Sequence, residues 1–152
     1  MDEVTKNYDL PEKVEEDPQI SVRDSILLSI KKLIGLDRDY DAFDDDMIIH
    51  INSVFMVLSQ IGVGDKTVFA ISGETETWDD FFSTCKVALD ASLLKSYIYL
   101  KVKLLFDPPS TGVLHEAMER QIAEFEWRLN AQCDPMFRNQ NVNGGEVIEP
   151  DE

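Results

Sequence analysis

The chain has no long hydrophobic run, few basic residues and only two cysteines, and each shortage excludes a class of function. A bilayer span needs roughly 18–20 consecutive apolar residues, and no stretch approaches that length. The opening MDEVTKNYDL is acidic and polar, unlike a secretory signal, so we expect a soluble protein made in a cytoplasm. Cys85 and Cys133 are far apart and form no C-x-x-C pattern, which predicts two reduced, partly buried thiols in a reducing compartment.

Lys and Arg number 14 against 30 Asp and Glu, for a formal net charge of −16. A clamp on nucleic acid depends on cations that neutralise phosphate, so this balance argues against one, and against an anionic membrane surface. The acids concentrate at the ends. Residues 1–20 carry seven acids and two bases, and residues 134–152 carry five and one. That leaves 18 acids and 11 bases in the middle, a mildly acidic domain between acidic tails.

Chemistry-bearing constellations are equally scarce. His50 and His115 fall on separate helical segments, and neither heads a zinc pattern such as H-E-x-x-H. No Ser or Cys sits in a motif that would activate it as a nucleophile; Cys85 has Lys86 beside it and nothing more. Gly62-Val63-Gly64-Asp65 follows a helix rather than a strand, lacks G-K-[ST], and puts a carboxylate where an anion would sit. The run of aspartates through Asp37, Asp39, Asp41 and Asp44 alternates like a calcium loop. Ala42 stands where the turn glycine belongs, however, and Ile48 where the bidentate Glu belongs. It reads as an acidic loop feeding a helix N-terminus. No enzyme activity, cofactor or metal is expected.

What is present is amphipathic helix. The length predicts one domain, able to bury about two-thirds of its unfolded surface. Residues 1–20, with Pro11, Pro18 and no apolar period, form an acidic extension predicted to be disordered on its own. Ser21 and Asp24 fit a capping box for a first helix whose apolar face is Ile26, Leu27, Ile30, Leu33 and Ile34, stopped by Gly35. A second helix over 44–61 carries the stripe Met47, Ile51, Val54, Leu58 and Ile61, with three aspartates at its N-terminus.

Residues 68–71 (Val68, Phe69, Ala70, Ile71) have strand character, a small hairpin or ordered loop. A short strand with no partner in its own chain could pair with a neighbouring subunit through Val68, Phe69 and Ile71. Thr77-Trp78-Asp79-Asp80 is a second capping box, opening a short helix; its Trp78, Phe81 and Phe82 fit either a partner-binding patch or the core, and the core is the expectation. The fourth helix, 90–106, is apolar around most of its circumference, the mark of a central helix. Asp107-Pro108-Pro109 stops it. The fifth, 111–131, places Leu114, Met118, Ile122, Phe125 and Leu129 on one stripe, with Glu116, Glu119, Arg120, Glu124 and Arg128 solvated. The fold class is therefore all-α: a bundle of about five helices over 21–131, with one β-like loop and acidic terminal tails.

HINSVFMVLSQIGVG (50–64), TWDDF (77–81) and YIYLKVKLLFDPPSTGVLHEAMERQIAEFEWRLN (97–130) together resemble the head–tail connector, or adaptor, proteins of long-tailed phages. The resemblance spans about residues 26–130 and lies in helix order, loop lengths and the FDPP corner. It implies a non-enzymatic virion protein of the neck, assembled in the host cytoplasm. It further implies a homo-oligomeric ring of about twelve subunits beneath the portal protein, closed by heterologous contacts. Such a ring extends the DNA channel without binding DNA specifically and docks a stopper or tail-completion protein. The C-terminal segment, 132–152, would grip the portal, with Met136, Phe137 and Arg138 as anchors.

An acidic channel lining would repel phosphate over about 8–10 Å, in keeping with DNA that slides. The alternative is an acidic inhibitory protein that mimics DNA. It is weakened by the placement of nine of the sixteen net negative charges in the tails, away from any rigid face.

Overall fold

The computed structural model describes residues 24–65 and 67–136; the N-terminal extension, Ser21, Phe137, Arg138 and the rest of the C-terminal tail lie outside them. Five helices follow in order: α1 (Ile26–Ile34), α2 (Asp44–Gln60), α3 (Trp78–Thr84), α4 (Ala91–Phe106) and α5 (Gly112–Cys133). No strand occurs among the described residues, and the all-α class stands.

Each boundary has a local cause. α1 is capped by Ser25 rather than Ser21: the Ser25 hydroxyl accepts from the Leu28 N–H. The backbone just before it is held in an antiparallel bridge, with Ile26 N–H donating to Glu76 at 3.0 Å and Trp78 N–H to Asp24 at 2.9 Å. Residues drawn into that bridge cannot also be helical. Gly35, at φ 93°, supplies the left-handed residue that ends α1, and Leu36 N–H reaches back to the Lys31 carbonyl at 2.9 Å.

At α3, Thr77 and Asp80 form the reciprocal capping box. The Asp80 carboxyl is held below the usual carboxylate range, first by the Thr77 backbone N–H and then by its hydroxyl. Asp90 caps α4 through Ser92 and Leu93 N–H. Asp107 ends α4, its N–H bonded to Lys103 and its carboxylate paired with the Lys103 ammonium, before the Pro108-Pro109 corner turns the chain into α5.

α4 is the hub, packing on α1, α2 and α5. Its Leu94, Tyr97, Ile98 and Val102 are buried against Met47, Ile51, Val54, Phe55 and Leu58 of α2 and Ile26, Leu27 and Ile30 of α1. Two expected core faces differ from the sequence reading. On α1, Leu33 is exposed while Leu28 and Lys31 are buried, so the inward face is rotated by about one residue. On α5, only Ile122 and Leu129 are buried and Leu114 is exposed, because α5 packs chiefly on α4.

Candidate interaction surface

Among the described residues no three His, Cys, Asp or Glu side chains converge as a metal site would require. The ionisable groups are instead engaged structurally. His50 lies edge-on to Phe106, ring centroids 6.4 Å apart, and His115 faces Glu119 one turn along α5 at 3.4 Å. Burial pushes the Cys85 thiol upward, with nearby Cys133 adding to the effect, which disfavours a reactive thiolate. The loop of aspartates is tied by a lysine. Lys31, fully buried, reaches the Asp44 carboxylate at 2.6 Å and donates to the Arg38 carbonyl at 3.0 Å. That cation anchors both the loop 37–43 and the first residue of α2 to α1, and a calcium loop would need Asp44 pointing elsewhere.

The surface this staple supports is unusual. Residues 37–46 hold six acids and one base, and between them stand aromatic rings. Tyr40 meets Phe43 at 5.5 Å and Phe43 meets Phe106 at 5.4 Å, both edge to face. Tyr40, Phe43 and, beside Phe106, Leu105 are exposed, and Leu114 and Val113 open α5 just past the corner. This end of the bundle therefore combines apolar side chains with carboxylates, the composition of a contact surface rather than of a cleft.

The sequence-predicted contact residues are divided by the fold. Phe69 packs on Phe55 and Phe81 at 5.1 and 5.4 Å, and Ile71 is buried, so both serve the subunit's own core. Val68 is 46% exposed and Met136 is 75% exposed, outward-facing as a partner contact requires. Residues 68–71 form an ordered loop, held by a side chain that sequence reading passed over. Asn52 on α2 accepts from Ile71 N–H at 2.8 Å and donates to the Ile71 carbonyl at 2.9 Å, doing for that residue what a strand partner would. Its only sequence signal is an amide inside an apolar run.

Asn52→Ala should cost about 2–3 kcal/mol, one to one and a half for each lost bond to the sequestered Ile71 backbone. Chemical denaturation with intact m-value checks this; a cost under about 0.5 kcal/mol would mean the loop is held by its aromatic contacts alone.

Trp78 and Phe81 are core, as expected, and the indole N–H of Trp78 donates to Ser29 Oγ at 2.9 Å, clamping α3 to α1. The α4–α5 pair is pinned in the same way. Tyr97, buried on α4, donates its hydroxyl to Glu126 Oε2 on α5 at 2.9 Å. Burial, reinforced by that carboxylate, keeps the phenol protonated far beyond its usual range.

A family model described as phage connector protein matches residues 26–136, from the first residue of α1 to the end of the described chain. The chain belongs to that family. No curated protein matches it, and no solved structure does. Membership assigns this connector a structural role at the phage head–tail junction. The matched region coincides with the whole five-helix unit, so the connector family's fold is what the caps, the Asn52 clamp and the FDPP corner build. No described helix of the connector is long and apolar enough to cross a membrane.

Proposed function

We propose that this connector is one subunit of a ring at the phage neck, seated beneath the portal protein, extending the DNA channel and receiving the next neck or tail component. The family match across the entire helical unit carries this reading. The acidic, aromatic end around Tyr40, Phe43 and Phe106 supports it, since it offers apolar contact area on a chain too acidic to hold DNA. Ring contacts are heterologous, so one face of a subunit meets a different face of its neighbour. In this reading Val68 faces a neighbouring subunit, whereas Phe69 and Ile71 stay within the subunit. The C-terminal segment grips the portal through Met136, Phe137 and Arg138, and subunits assemble in the host cytoplasm before joining the virion.

The test is co-assembly with purified portal, followed by electron microscopy and light scattering. A ring stacked coaxially on the portal is expected, and a chain lacking residues 134–152 should bind the portal at least about tenfold more weakly, a loss of about 1.4 kcal/mol. Undiminished binding by the shortened chain would exclude the tail as the grip. Failure of the full chain to bind any portal or tail component would exclude the connector ring itself.

A further inference from the structure

The outward face of α5 is left uncovered by every described helix, and its chemistry is complementary to itself. Glu116, Arg120, Glu124 and Arg128 follow one another at four-residue intervals, alternating in sign; all are exposed, and Arg128 already donates to Glu124 along the helix at 2.6 Å. Trp127, 65% exposed, stands on the same face, as does exposed Ala117. Helix geometry places all six within one broad stripe opposite buried Ile122.

Lay a second α5 against this stripe in the same direction and in register, and glutamate meets glutamate and arginine meets arginine. Reverse it, centred level with Ile122, and every charge meets its opposite: 116 with 128, 120 with 124, and the converse pairs. The same reversal brings Trp127 of one copy level with Ala117 of the other, on the flank where Glu116, Glu119, Arg120 and Ala123 line a shallow depression of about 310 Å³. Arg120 also lies where a guanidinium can stack on the incoming indole. An exposed tryptophan ringed by paired charges is the composition of a binding hot spot.

We propose that two copies of this chain pair antiparallel through α5, with Trp127 of each over the depression beside Glu116 and Arg120 of the other and the Glu–Arg ladder in register. The contact is isologous and saturates at two copies. It goes beyond the connector reading and does not rest on it: a ring closes through heterologous contacts and must use other faces or open this one. Paired subunits would then be the form of the free protein, holding the α5 face covered until assembly.

Light scattering on the full chain between about 1 and 100 µM, without any partner, tests this. The chain should be dimeric at the upper end. Arg120→Glu and Glu124→Arg should each be monomeric, because positions 120 and 124 face one another and each variant then repels itself. Mixed one to one, the two variants restore opposite charges at every level and should form a heterodimer. Trp127→Ala should weaken the dimer at least tenfold, with unchanged helical circular dichroism. A wild-type chain monomeric throughout would overturn the pairing and leave the face to another phage component. A ring-sized mass would overturn it in favour of a head-to-tail contact, and so would failure of the mixture to pair.

Discussion

Phe81→Ala is expected to destabilise the chain by about 3–5 kcal/mol, lowering the melting temperature by roughly 6–15 °C. Phe81 is buried at the centre of an aromatic group, with ring centroids 4.9 Å from Phe55, 5.4 Å from Phe69 and 5.8 Å from Phe82. It links α3 to α2 and to the loop that carries Phe69 and Ile71, adding to the Phe55–Phe69 contact and the Asn52 clamp that already join that loop to α2. Truncation removes the transfer energy of a full ring and leaves a cavity whose walls are other rings, which cannot collapse without leaving their rotamers. Phe81→Leu keeps most of the volume and should cost well under half as much. Phe82→Ala, at a half-buried position, should also cost less. Urea denaturation of the three variants decides the matter. A Phe81→Ala cost below about 1 kcal/mol would mean that this end of the bundle is not held by its aromatic group.

Asp44→Ala should cost about 3 kcal/mol or more, for a different reason. Its loss leaves the ammonium of fully buried Lys31 with the Arg38 carbonyl but no counter-charge. A buried cation so stranded is far more costly than the pair was favourable. The pair itself is not the source of the stability. Lys31→Met combined with Asp44→Ala should therefore recover much of the loss, an apolar chain of similar length filling the same channel. Removing Asp44 also forfeits a favourable charge at the α2 N-terminus, worth about 0.3–1 kcal/mol, which the double variant does not restore. A double-mutant cycle read by denaturation gives the coupling directly. A coupling under about 0.5 kcal/mol would reduce the Lys31–Asp44 contact to an ordinary surface ion pair.

Much of the bundle was legible in the residues alone, and the reason is locality. The Thr77–Asp80 box, the glycine stop at Gly35 and the Asp107-Pro108-Pro109 corner are written within three or four residues of where they act. The stripe Met47, Ile51, Val54 and Leu58 repeats with the helix period and is buried as that period predicts. The residues favour a cap at Ser21, but Ser25 caps α1 because the deciding partner, the stretch around Glu76 and Thr77, is distant in sequence. The strand character of 68–71 was real as propensity. It became a loop because an amide on α2, rather than another strand, took up the Ile71 backbone groups.

The contact surface divides along the same line. That the chain belongs with the connectors and concentrates negative charge in its tails follows from order and composition, which the sequence carries whole. Which apolar residues are left outward does not. Leu33 and Leu114 have the period of core residues and are exposed; Lys31 has the chemistry of a surface residue and is buried. Periodicity specifies that a helix has an apolar side. Which residues along it meet a neighbour depends on where other helices end, and whether a lysine can be enclosed depends on a carboxylate and a carbonyl that only the folded chain brings to it.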